Sequence, residues 1–134
     1  VDTKGFDFLA IDLVAGTGTI LIDPEDDGDM IAYLASLERV AAAQPVALVP
    51  AHGPVLDDPQ ACLRRYRAHR LMREERVLAA IPAAWRAVSA VLADAYSDTP
   101  TALWPLAARS LEAHLRKLEV EGRVRRSGVE VLRL

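Results

Sequence analysis

Two side chains stand where a metal-dependent chemistry could be built. Asp12 follows the apolar run Phe8-Leu9-Ala10-Ile11, and His52 sits in Pro50-Ala51-His52-Gly53-Pro54, directly after Val46-Ala47-Leu48-Val49. A carboxylate and an imidazole at neighbouring strand ends are donors that a hard or borderline divalent cation takes, and prolines around His52 limit the entropy lost in holding it. A lone Asp at a strand end also serves as a turn residue, so the local pattern leaves both roles open. The remaining histidines, His69 and His114, fall in predicted helices remote in sequence and read as packing or surface residues. Cys62 also lies in a helical pattern and reads as a small buried hydrophobe.

A second candidate group is basic. Arg109, Arg116, Arg123, Arg125 and Arg126 cluster near the C-terminus, where a helix and a hairpin could present them to a nucleic-acid backbone. Glu112, Glu119, Glu121 and Glu130 are interspersed among them, so docking against another part of the protein is an equally open use. Arg64, Arg65, Arg67, Arg70, Arg73 and Arg76 are spread around one long predicted helix with Glu74 and Glu75 beside them. That spacing reads as a solvated helix with internal ion pairs rather than a phosphate-binding face.

The elements that must position these residues follow from hydrophobic periodicity. Phe6–Ile11 and Thr19–Ile22 are short β-compatible runs separated by Gly16 and Gly18. After the turn Asp23–Gly28, Asp29 can cap a helix over Met30 to about Ala43, and Val46–Val49 reads as a buried strand. Asp58 and Pro59 supply an N-cap and a first helical residue for a helix running to about Ile81, where Pro82 interrupts it. Trp85–Ala95 and about Leu103–Glu121 read as further helices, Leu111, Leu115 and Leu118 forming the apolar stripe of the second. Gly122 ends that helix, and Val124–Leu132 reads as a β-hairpin about Ser127-Gly128. Trp85, Tyr96 and Trp104 flank helix ends and read as core residues.

The fold class is therefore α+β. Residues 1–57 give a two-layer αβ pattern that leaves strand edges without partners, and 58–134 give a long helix followed by a winged helix-turn-helix. The 134 residues, 51% hydrophobic and 26% charged, are an ordinary globular composition. A net charge of −3, with 16 Lys and Arg spread along the chain, gives no general support for nucleic-acid binding. One cysteine rules out an intramolecular disulfide and fits a reducing, cytoplasmic setting. The longest uncharged stretch, Val40–Leu56, is broken by prolines and too short to span a bilayer, so no membrane role is expected.

Several ordered blocks together resemble the C-terminal half of the metallo-β-lactamase fold: Ile11–Gly16 with Thr19, Gly28-Asp29-Met30 with Tyr33–Leu37, and Pro50–Pro54. Tyr66–Arg70, Arg73-Glu74 and Ala113–Val124 resemble the winged-helix extension of one subgroup, which includes endoribonuclease-like members. The resemblance covers nearly the whole chain from Phe6 onward. It implies a partial αββα layer followed by a winged-helix domain, in a hydrolase that cleaves an ester-like or phosphodiester bond with a dinuclear zinc centre. Asp12 matches the position that bridges the two metals, and His52 the one that completes the second site. The family usually has Gly before each, where this sequence has Ile11 and Ala51.

The family's His-x-His-x-Asp-His cluster occurs nowhere in the 134 residues. Asp12 and His52 alone fall short of the three protein ligands of a catalytic zinc, so this chain by itself is expected to hold zinc weakly and to be inactive. The expected partner is an N-terminal half of the same fold or a second copy of the chain. The alternative is a non-catalytic winged-helix module binding nucleic acid or a protein.

Overall fold

The computed structural model describes residues 28–48 and 55–134, and helix α1, Met30–Ala42, is the first element among the described residues. The strands read at Phe6–Ile11 and Thr19–Ile22 lie outside the described residues. The chain divides into two compact units, one containing Ile31–Arg70 and the other Leu71–Leu134.

In the first unit, Leu37 and Val40 of α1 pack with Cys62, Leu63 and Tyr66 from the start of α2, Pro59–Ala79. All five are buried, as expected for Cys62. Asp58 caps α2, its Oδ1 accepting the Ala61 N–H at 3.1 Å, and Pro59 occupies the first helical position, where no amide donor is needed. Gln60 Nε2 donates to the Ala41 carbonyl near the end of α1 at 3.0 Å. The division between these compact units falls inside α2, where Cys62, Leu63 and Tyr66 share a core with α1. The strand expected over Val46–Val49 is reduced, among the described residues, to one antiparallel bridge between Leu48 and Leu56, with Val46 93% exposed. Gln44 at φ 48° turns the chain, and Pro45 after it has no amide to give to a ladder.

The second unit begins in the latter part of α2. After Ala79 the chain passes Pro82 to a two-residue strand β1 (Arg86–Ala87), then α3 (Val88–Ala95), a 3-10 turn (Thr101–Leu103), α4 (Trp104–Val120), β2 (Val124–Ser127) and β3 (Glu130–Arg133). The strands form an antiparallel sheet in the order β1-β3-β2. The helices, hairpin and extra short strand make the winged helix-turn-helix read from the sequence. Its core gathers Val77, Ile81, Val91, Leu111, Leu115, Leu118, Val124 and Val131, each at 2% exposure or less.

Strand β1 replaces the first turn of the helix expected from Trp85. Arg86 and Ala87 pair with Val131 and Glu130, and the Val88 N–H donates to the Val129 carbonyl at 2.8 Å. Arg86 Nη1 also donates to the Ala80 carbonyl past the end of α2 at 2.7 Å, and Nη2 meets Asp94 Oδ2 at 2.7 Å. Trp85, just before β1, is 44% exposed and not a core residue. Tyr96 is buried as expected, while half-buried Trp104 anchors its Nε1–H on the Thr99 carbonyl at 3.1 Å. At the end of α4, Arg123 N–H reaches the Leu118 carbonyl and Gly122 N–H the Glu119 carbonyl. This is a Schellman ending, with Gly122 at φ +69° in the left-handed region.

Candidate metal centre and winged-helix surface

Asp12 and His52, the two candidate metal ligands, lie outside the described residues. Among the described residues, no group of three or more His, Cys, Asp and Glu side chains is placed to hold a metal ion. His69 is half-buried on α2, and His114 is wholly buried in α4, a packing position.

The five arginines of the basic group do not form one exposed patch. Arg126, on β2, makes a two-pronged pair with Glu112 on α4, with Nη1–Oε1 and Nη2–Oε2 both 2.8 Å. Arg116 joins the same carboxylate at 3.1 Å from one turn along the helix. Burial pushes the Glu112 carboxyl up, but the hydrogen bonds and charges of Arg126 and Arg116 outweigh it and leave the group below its ordinary range. Arg123 lies 3.6 Å from Glu74 Oε1 and 3.8 Å from Glu121 Oε2. Arg109 and Arg125 are exposed. Three of the five thus point a guanidinium at carboxylates of their own unit, which hold part of the charge a phosphate backbone would need.

Arg64, Arg65 and Arg67 are exposed on α2 as expected, whereas Arg70, Arg73 and Arg76 depart from the solvated helix. Its buried positions in residues 59–77 are Pro59, Cys62, Leu63, Tyr66, Arg70, Arg73, Glu74 and Val77, one continuous helical face carrying three charged residues. Arg70 stacks over the Tyr33 ring, 5.5 Å from its centre. Arg73 donates to the Ala95 carbonyl at 2.6 Å and to Asp98 Oδ1 at 2.9 Å, its guanidinium 4.5 Å from the centre of the Tyr96 ring. Arg76 pairs with the other Asp98 oxygen at 2.5 Å. Hydrogen bonds from Arg73, and then Arg76, hold the Asp98 carboxyl down at about 2. The partners are therefore in the turn after α3, not along α2. Continuing the Cys62–Leu63–Tyr66 spacing to Val77 lands on Arg70, Arg73 and Glu74, and this was the signal available in the sequence.

Glu74 completes the polar interior. Its Oε1 accepts from Lys117 Nζ at 2.8 Å and its Oε2 lies 3.6 Å from His114 Nδ1, while Lys117 also reaches Glu121 at 2.7 Å. Burial pushes the Glu74 carboxyl up, yet contacts with His114 and Lys117 bring it below its ordinary value. Lys117 is raised, burial being outweighed by Glu121 and Glu74. The sequence reading missed this network because its members are far apart along the chain.

The arrangement of helices around the β1-β3-β2 sheet defines a winged-helix domain, and comparison with known proteins gives its class. Residues 87–130 match the Beta-lactamase associated winged helix domain family. The chain is 34% identical over 117 residues to the Beta-lactamase-like protein 2 homolog of Drosophila melanogaster, covering 85% of this chain and 38% of that protein. It is 27% identical over 112 residues to the Caenorhabditis elegans homolog, covering 83% and 36%. The chain thus spans well under half the length of these relatives. A β-lactamase domain protein from Burkholderia ambifaria superposes with a TM-score of 0.67 at 23% identity, over 78% of this chain and 33% of that one. A metallo-β-lactamase family protein from Thermus thermophilus gives 0.66 at 20%, over 94% and 40%. The chain is the C-terminal portion of a metallo-β-lactamase-fold protein with a winged-helix domain.

Proposed function

We propose that this chain works as the C-terminal portion of a metal-dependent hydrolase that cleaves an ester-like or phosphodiester bond, with Asp12 and His52 as two ligands of a dinuclear zinc centre. The observation that carries this reading is the 34% identity to the Drosophila melanogaster Beta-lactamase-like protein 2 homolog across 85% of the chain. The donor set fits the metal: a carboxylate can bridge two cations, and an imidazole is a common zinc ligand. When bound, zinc supplies a hydroxide nucleophile near neutral pH and positive charge against a developing oxyanion. The remaining ligands are proposed to come from an N-terminal half of the same fold. The winged helix then serves as a docking element, a role favoured by the engagement of Arg116, Arg123 and Arg126 with Glu112, Glu74 and Glu121.

Zinc content measured by mass spectrometry tests the assignment in the full-length protein that carries this chain, alongside Asp12→Ala and His52→Ala. Both variants should lose zinc and lose hydrolysis of a bis-aryl phosphodiester or an aryl ester. Unchanged zinc content in either variant refutes that residue's assignment. The pure 134-residue chain should show no metal-dependent turnover; turnover abolished by His52→Ala would show that two ligands suffice.

A further inference from the structure

The three-stranded sheet of the second unit has one covered face and one open face. Val124 and Val131 point into the core, and Arg86 and Arg126 turn to the same side, towards the Ala80 carbonyl and Glu112. Alternation along each strand therefore puts Ala87, Arg125, Glu130 and Leu132 on the opposite side. Trp85, one residue before the β1 pairing, falls beside Leu132, and Leu134 continues the β3 row past it. Trp85 is 44% exposed and Leu134 62%, with Ala87 exposed and Leu132 half-buried. An apolar strip with an exposed tryptophan is the composition of a contact surface. Two charges border the strip. Arg125 pairs across with Leu132 and Ser127 with Glu130, so Arg125 and Glu130 are diagonal neighbours on this face. Both are exposed, and among the described residues neither makes an ion pair. An unpaired cation and an unpaired anion beside one apolar strip make the face complementary to itself.

We infer that the open face of the β1-β3-β2 sheet, with Trp85 and Leu132 at its centre, binds the same face of a second copy of this chain. A two-fold axis in the plane of the interface, perpendicular to the line joining Arg125 and Glu130, brings each arginine to the glutamate of the other copy. The same axis sets Trp85 and Leu132 against their own counterparts beside the two ion pairs. A nucleic-acid backbone would pair with Arg125 and repel Glu130, whereas a second copy satisfies both charges. Three short strands offer a small contact, so the dimer belongs to the weak class, below about 1,200 Å² of buried surface. The inference does not rest on the metal assignment, since none of these residues is a proposed ligand.

Sedimentation equilibrium of the 134-residue chain, at concentrations up to about 1 mM, reads the association, and circular dichroism checks that each variant is folded. The native chain should dimerise. Arg125→Glu or Glu130→Arg alone should weaken dimerisation at least about ten-fold by setting like charges face to face. An equimolar mixture of these two variants should regain native association, because every contact between unlike chains again joins opposite charges. Trp85→Ser removes an apolar anchor outside the core and should weaken association by a similar factor with the native spectrum kept. A chain that stays monomeric throughout overturns the inference. So does dimerisation indifferent to both reversals or to Trp85→Ser, which would place the contact elsewhere, or a mixture that fails to associate. Two other occupants have their own signatures, and either one sinks it. A monomeric full-length protein whose unfolding midpoint falls with Trp85→Ser would assign the face to the N-terminal half of the same fold. A monomeric chain that binds a labelled single-stranded oligonucleotide, and loses it with Arg125→Glu, would assign the face to nucleic acid.

Discussion

The clearest division between a structural and a nucleic-acid role for the wing is a double-mutant cycle at Glu112 and Arg126. The pair is two-pronged, with both contacts at 2.8 Å and side chains 29% and 22% exposed. It lies between the surface regime, where a pair gives about 0–1 kcal/mol, and buried charge-assisted hydrogen bonds at about 1.5–3 kcal/mol. We expect a coupling of about 1 kcal/mol, and a loss of about 1.5 kcal/mol for Arg126→Ala alone because Glu112 then loses its two-pronged partner. For a domain of this size that single loss lowers the midpoint by about 6–12 °C. The assay is thermal unfolding by circular dichroism for native, Glu112→Ala, Arg126→Ala and double variants. Fluorescence anisotropy with a labelled DNA duplex over a salt series runs in parallel. A coupling below about 0.3 kcal/mol, together with a salt-dependence slope falling by about one unit in Arg126→Ala, would refute the structural assignment and give this arginine to a phosphate.

Leu115→Ala empties a site at 0% exposure between helices and sheet and should cost about 2–5 kcal/mol by chemical denaturation; a loss under about 1 kcal/mol would contradict the packing described. Gly122→Ala meets no atom within 4 Å, so its cost is the left-handed backbone alone, about 1 kcal/mol, with contacts elsewhere unchanged by amide shifts. Asp98 titrates at about 2 when folded against an ordinary 3.8. Its pairing with Arg73 and Arg76 is therefore fully stabilising above pH 3.8 and is lost as pH falls from there towards 2. Asp98→Asn should flatten that part of the stability profile, and an unaltered profile would show that the clamp does not form.

Local signals located the helices well because each boundary has a local cause. Asp58 and Pro59 start α2, Pro82 stops it, and Gly122 closes α4. The hairpin was legible for the same reason, since Gly128 at φ +56° stands between two short β-compatible runs. What escaped was set by distant partners. Arg86 and Ala87 are extended because Val131 and Glu130, more than forty positions on, offer a ladder, and nothing between Pro82 and Ala95 announces it. Trp85 looked like a core residue by type, yet its place before that edge strand leaves it exposed.

Charge was harder to read than hydrophobicity, and for one physical reason. An apolar side chain gains by burial against almost any apolar neighbour, so its periodicity in the chain survives folding as a face. A buried charge needs particular partners at particular distances, and their separation in the sequence has no period. Arg73 and Asp98 are 25 residues apart and Glu74 and Lys117 are 43 apart, whereas the neighbouring charges Glu74 and Arg73 serve different partners. The same limit applies at the candidate metal site. Asp12 and His52 are forty residues apart, and the joint role proposed for them rests on the resemblance of several ordered blocks to one family, not on either residue's immediate surroundings. A pairing of this kind is specified by the whole fold, so the winged helix could be recognised from its local grammar while the use of its arginines could not.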